Sequence, residues 1–301
     1  MSFTTIIGVV IAVSVFMTVL GFGMRATFTD ATYLFKNPAL LFRALLGMNL
    51  IMPLFVGLLT WLFPLEPVVI IVLIALSVSP VPPILPGKAL KSGGRRSYTL
   101  GLLTASSLLS VVLVPLTLEI FERAFEQSVS FRVSDVASTI FIGVISPLLL
   151  GLSIRLGVPE LAEKGGGFIG RLALVLLIAA MLPVVFVLLP AVWQLIGNGA
   201  VLAIAAFVIF GITIGHVLGG PDPDDRTVLA LSVSKRHPGI AMAIAGVATT
   251  AVGVTQAPAV ILLFLILGVA VGGPYLKWLG RRSGESQAPS SHRAVGTAQR
   301  L

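Results

Sequence analysis

SVSKRHPGIA, residues 232–241, sets a lysine, an arginine, a histidine and a proline–glycine pair inside a stretch that is otherwise almost purely apolar. A second interruption, SVSPVPPILPGK at residues 77–88, crowds Pro80, Pro82, Pro83, Pro86 and Gly87 into another hydrophobic run. Each interior proline deletes a backbone hydrogen bond and clashes with the preceding turn, so neither run fits one continuous helix. The surroundings decide what such breaks mean. Hydrophobic residues make up 56% of the chain and charged ones 11%, and repeated apolar runs approach or exceed the roughly 20 residues that cross a bilayer. The chain reads as an all-α polytopic membrane protein. A β-barrel needs alternating polarity in strands of about 10 residues, whereas these runs are apolar all round.

About nine transmembrane helices are expected, near residues 3–24, 39–63, 66–90, 97–119, 136–156, 168–190, 193–220, 226–251 and 255–280. They leave no room in 301 residues for a sizeable soluble domain, so residues 1–280 form a single transmembrane domain. The apolar stretch Met1 to Met24 has no basic start and is expected to be a retained span. With the N-terminus outside, the inner loops hold Arg25, Lys36 and Arg43; Lys88, Lys91, Arg95 and Arg96; Arg155, Lys164 and Arg171; Arg226; and Lys277, Arg281, Arg282, Arg293 and Arg300. The outer loops hold only Arg123 and Arg132, among Glu119, Glu122, Glu126 and Asp135. This positive-inside asymmetry favours an odd number of spans in the cell membrane, with the N-terminus outside and the C-terminus cytoplasmic. It also accounts for the net charge of +8 without nucleic acid, for which no basic helix or aromatic-interleaved patch is present. Residues 281–301, rich in Ser and Gly without apolar periodicity, read as a disordered cytoplasmic tail.

Non-helical backbone at membrane depth is tolerated only where it lines a cavity or is buried in protein, so the two breaks predict a polar site. They lie in the third and eighth spans. Spans one, two and four have counterparts in six, seven and nine at similar offsets, which gives inverted repeats over about 1–119 and 136–280. Interrupted helices at corresponding positions of inverted halves point to the binding site of a secondary transporter.

Several segments resemble one family. FGMRATFTDATYLFKNPALLFRALLGMNLIMPLF (22–55), SPVPPILPGKALKSGG (79–94), TASSLLSVVLVPL (104–116) and RTVLALSVSKRHPGIAMAIA (226–245) are similar to the bile acid:sodium symporter family and the fold group that includes arsenite and auxin carriers. The resemblance implies a nine-span member with a core domain containing two crossed discontinuous helices, a separate panel domain, and alternating access between them. It implies sodium ligands at positions that here are Leu85, Pro86, Thr99, Leu103, Ser232 and Arg236, of which only Thr99 offers an oxygen suited to the role. Sodium needs several oxygen ligands, whereas Lys and Arg offer donors and repel it. Sodium coupling is therefore doubtful, and the expected site takes a small or medium organic anion. Lys235, with Arg236, supplies the missing positive charge, reinforced by the half-helix beginning near Gly239. The expected substrate-binding residues are Lys235, Arg236, His237, Pro238, Pro82, Pro83, Pro86, Gly87 and Thr99. His237 is a candidate for proton coupling, since an imidazole titrates near pH 6.5.

Other readings stand beside these. Lys235 to His237 could belong to a cytoplasmic loop running from Pro221 to Pro238. Lys88 could line the inner end of the site or simply obey topology. Asn49 is either a site residue or helix-packing glue, and Ser106, Ser107 and Ser110 contact a substrate or allow close packing. Thr255 and Gln256 mark an outer turn, and His216 is an interfacial residue. PDPDD at 221–225 is similar to an Asp-rich magnesium motif of membrane prenyltransferases, yet that chemistry wants a second acidic cluster, and PDPDD also reads as a turn and N-cap. There is no cysteine, no H-E-x-x-H and no G-x-S-x-G, so no enzyme, cofactor or metal site is expected. A sensor without transport would share every fold-level feature.

Overall fold

The computed structural model describes residues 3–125, 138, 140–252 and 256–286, and every element among them is helical. Arg132, Asp135, Thr255, Arg293 and Arg300 lie outside the described residues. The helices are α1 (Phe3–Arg25), α2 (Phe28–Lys36), α3 (Pro38–Leu62), α4 (Pro67–Val78), α5 (Leu85–Lys91), α6 (Arg96–Phe125), α7 (Phe141–Gly157), α8 (Pro159–Gln194), α9 (Ala200–Leu218), α10 (Pro223–Ser234), α11 (Pro238–Val252) and α12 (Ala257–Ser286). Six of them, α1, α3, α6, α8, α9 and α12, are long and apolar enough to cross a membrane. Large apolar side chains such as Trp61, Trp193 and Leu202, each at least 75% exposed, face outward. Patches of that kind suit lipid rather than water.

Proline sets many of the boundaries. It opens α3, α4, α8 and α10 within the first turn, where a missing N–H costs nothing. It also closes helices from outside. Ser79 ahead of Pro80 takes extended angles that end α4, as the residue before a proline must leave the helical region. The single third and eighth spans of the sequence reading therefore resolve into α4 with α5 and α10 with α11. Several boundaries differ from expectation: α9 starts at Ala200 rather than 193, and α6 runs on to Phe125 rather than 119. α8 begins at Pro159 and runs 36 residues, because the polar turns expected as a loop are helix-compatible. α12 continues past Arg281 to Ser286.

α1, α7 and α8 pack closely on one another, while α3, α6, α9 and α12 surround the two interrupted pairs. Gly23 and Gly151 let α1 meet α7 backbone to backbone; a Cβ on Gly151 would stand 2.5 Å from the Leu20 carbonyl oxygen.

The α2 capping box closes on itself, with Asp30 N–H donating to Thr27 Oγ1 and Thr27 N–H to Asp30 Oδ2, both at 3.1 Å. Ser97 Oγ donates to Asp30 Oδ1 at 2.7 Å, and Arg96 donates to the Arg25 carbonyl while lying 3.7 Å from Asp30. Burial opposes the Asp30 charge, but the bonds from Ser97 and Thr27 and the Arg96 charge outweigh it and hold its carboxyl below the usual carboxylate range. A depressed folded-state value adds stability above the unfolded carboxylate value of about 4, and that stability is lost as pH falls through the folded value. Asp30→Asn is expected to cost about 1–2 kcal/mol at neutral pH and to flatten the acid limb below about pH 4. Thermal denaturation in detergent at a series of pH values reads both; an unchanged acid limb would show that Asp30 carries none of it.

Candidate functional site

The two breaks meet. α4 packs against α11 and α5 against α10, so each half-helix lies on the opposite half of the other pair, and the extended segments between them touch. His237 N–H donates to the Pro80 carbonyl at 3.0 Å, stitching the second break to the first. Ser106 Oγ on α6 accepts the Val81 N–H at 3.4 Å.

Arg236 is 1% exposed. Its guanidinium donates from Nη1 to the Ser79 carbonyl at 3.1 Å and from Nη2 to the Met48 carbonyl at 2.6 Å. Both acceptors need an outside donor for a local reason. Ser79 is the C-cap of α4, at the negative end of that helix. Met48 lies in a π turn, Leu46–Ile51, where the Met52 N–H reaches back to the Gly47 carbonyl. The next residue along is Pro53, which has no N–H to give Met48. One buried arginine thus answers two carbonyls that their own helices cannot satisfy.

Lys235, half-buried, points elsewhere. Its ammonium donates to the Gly268 carbonyl on α12 at 2.9 Å. A methyl added at Gly272 would come within 3.3 Å of that nitrogen, so the two glycines form the slot that receives it. His237 is 6% exposed; its Nδ1 accepts the Ile240 N–H at 3.3 Å, capping α11, and Nε2 has no partner among the described residues. The ring proton therefore sits on Nε2.

The sequence candidates divide accordingly. Arg236, His237 and the buried prolines Pro82 and Pro83 build the crossing, and Lys235, Pro238 and Gly87 lie at its more open margin. Pro86 lies in the first turn of α5. Thr99 spends its hydroxyl on the Arg95 carbonyl of its own helix at 2.7 Å and is buried. The alternative of a solvent-exposed loop for Lys235 to His237 does not fit two residues this deeply enclosed. PDPDD opens α10, with Asp222 Oδ1 accepting the Asp224 N–H at 2.9 Å while Arg95 pairs with Asp222 and with Asp225. His216 Nδ1 lies 2.9 Å from the Tyr275 hydroxyl and packs against Trp278, an arrangement suited to an interfacial belt. Asn49 lines a cavity of about 450 Å³ between α3 and α6, whose wall is otherwise almost entirely apolar.

A smaller cavity, about 220 Å³, opens between α1, α8 and the first break, with Ile84 and Gly87 on its wall. Its wall thus touches the first break.

A comparison of sequence places this helical bundle in a family. The family model described as Sodium Bile acid symporter family matches residues 11–217. The chain belongs to the sodium bile acid symporter family. No curated protein matches it. The symporter-family match runs from α1 to the end of α9 and includes the first break; α10 and α11, with Lys235 to Pro238, lie beyond it. Membership makes the chain one of a family of transporters for small molecules. At the positions where the resemblance implies sodium ligands, Leu85 and Pro86 are buried and apolar, and Ser232 Oγ donates to its own helix at the Val228 carbonyl, 2.7 Å away.

Ser106 meets the first break, a contact that its residue type does not announce. Three serines on one helix look alike in a sequence, and only the rotation of α6 selects the one that meets Val81. Arg25, Lys91 and Arg171 were likewise absorbed by the positive-inside rule, which explains any inner basic residue equally well.

Proposed function

We propose that this member of the sodium bile acid symporter family carries small organic anions across the cell membrane by alternating access, without sodium. Its spanning units number nine, counting each interrupted pair as one, with the N-terminus outside. The set α1, α7 and α8 serves as the panel, and the helices around the crossing serve as the core. The supporting observation is Arg236: its guanidinium takes the Ser79 and Met48 carbonyls, so a fixed cation already occupies the meeting point of the breaks. A second positive charge there would be strongly repelled. Lys235, which keeps further N–H donors beyond its bond to Gly268, is the group that meets the substrate anion.

The test is uptake of labelled organic anions into proteoliposomes under an imposed sodium gradient, an imposed proton gradient, or neither. Uptake indifferent to sodium is expected. A severalfold acceleration by an inward sodium gradient would overturn the sodium-free reading and return the protein to symport. Acceleration by protons alone would point to His237, whose ring takes up a proton at Nδ1 by giving up the Ile240 N–H.

A further inference from the structure

Three cations converge on the 220 Å³ cavity from three different elements: Arg25 at the end of α1, Lys91 in the last turn of α5, and Arg171 on α8. None of them has an ion pair among the described residues, and no carboxylate lines the cavity. The positive-inside rule explains why basic residues lie at this end of the bundle. It does not explain why three of them share one cavity with no acid to answer them.

Half of the remaining wall is glycine: Gly21, Gly87, Gly166, Gly167 and Gly170. Gly21 and Gly166 are needed where α1 and α8 touch, since a Cβ on Gly21 would stand 3.0 Å from the Gly166 carbonyl oxygen. Gly167 and Gly170 have no such reason, with nothing within 4 Å of where a Cβ would stand. Glycine inside a helix is unfavourable relative to alanine, so packing does not account for these two. Their missing side chains leave room. Arg171 is partly fixed already, its Nε donating to the Gly167 carbonyl at 3.4 Å, and the Arg25 stem lies against Gly166, where a Cβ would stand 2.9 Å from its Cγ.

The cavity is below the roughly 300–1,000 Å³ of pockets for drug-sized ligands, so its ligand is compact. Two guanidinium forks and an ammonium supply more charge than a single carboxylate can answer, and the planar forks match phosphate oxygens in bidentate fashion. We infer that this cavity binds a doubly charged phosphate monoester group, carried either by a small metabolite or by a membrane lipid headgroup. For a metabolite the inference deepens the proposed anion transport and rests on it; the binding itself does not.

The experiment measures binding to the purified full chain. Glycerol 3-phosphate and lactate are titrated calorimetrically in detergent, and phosphatidic acid is supplied in phosphatidylcholine nanodiscs with thermal stabilisation as the readout. Saturable binding of glycerol 3-phosphate is expected, at least roughly tenfold tighter than lactate and roughly tenfold weaker in each of Arg25→Gln, Lys91→Gln and Arg171→Gln. Gly170→Leu, which fills open space rather than cutting a contact, abolishes it while leaving the thermal midpoint unchanged. If phosphatidic acid stabilises with the same dependence on these residues and glycerol 3-phosphate does not bind, the source is lipid and the inference stands. Failure of both probes, indifference to the three substitutions, or lactate binding as tight as glycerol 3-phosphate overturns it. Binding of glycerol 3-phosphate without uptake of any anion supports the cavity and defeats the transport reading; organic-anion uptake that survives all three substitutions defeats the cavity as a substrate site and leaves transport intact.

Discussion

Arg236→Ala is expected to lower the thermal midpoint of the purified protein by about 10 °C, the largest stability effect of any single substitution at the crossing. The reason is the double debt left behind. Hydrogen bonds from a charged donor contribute about 1.5–3 kcal/mol each, and removing one partner of a buried polar pair costs roughly 3–5 kcal/mol. At about 2–4 °C per kcal/mol for chains of this order, the midpoint moves by roughly that much. Substitution leaves the Met48 carbonyl facing Pro53, which has no N–H, and the Ser79 carbonyl at a helix end. Two controls separate this account from simple loss of volume. Arg236→Met keeps most of the volume and should still fall well short of native stability, because the carbonyls remain unanswered. Adding Pro53→Ala restores a donor to the α3 ladder, so Arg236→Met should cost less on that background than alone. A midpoint for Arg236→Ala within about 1 °C of native would show that water or rearranged backbone satisfies both carbonyls, and the guanidinium would then be free for a ligand.

How much of this was visible in the sequence follows from the range of each interaction. Breaks written in proline are local, so SVSPVPPILPGK and SVSKRHPGIA announced themselves, and PDPDD announced a helix start, although the cap falls at Asp222 rather than directly before Arg226. Partners set by tertiary approach were not legible. Met48 lies 188 positions from Arg236, and nothing near either residue names the other; the clue was the proline at 53, whose missing N–H says that some carbonyl one turn back needs a donor without saying whose. Thr99 shows the opposite error. Its residue type suited an ion ligand, yet a threonine on a helix can always bond the carbonyl four residues back, and here it does.

Lys235→Ala is expected to cut sodium-independent anion uptake by roughly 10- to 150-fold, the fold-change that corresponds to a charge-assisted hydrogen bond of about 1.5–3 kcal/mol. Its effect on stability should be small, because the ammonium is only half-buried and its one protein bond among the described residues is to the Gly268 carbonyl. That combination distinguishes it from its neighbour: Arg236 holds the two breaks together, whereas Lys235 sits at their open margin with donors to spare. Lys235→Arg should fail to restore uptake, since the slot formed by Gly268 and Gly272 fits a compact ammonium and a methyl at Gly272 already approaches the nitrogen to 3.3 Å. Gly272→Val should then mimic Lys235→Ala in uptake by displacing the ammonium while leaving it charged. Uptake by Lys235→Ala within twofold of native, at an unchanged thermal midpoint, would remove Lys235 from the transport path and move the anion's recognition away from the crossing altogether.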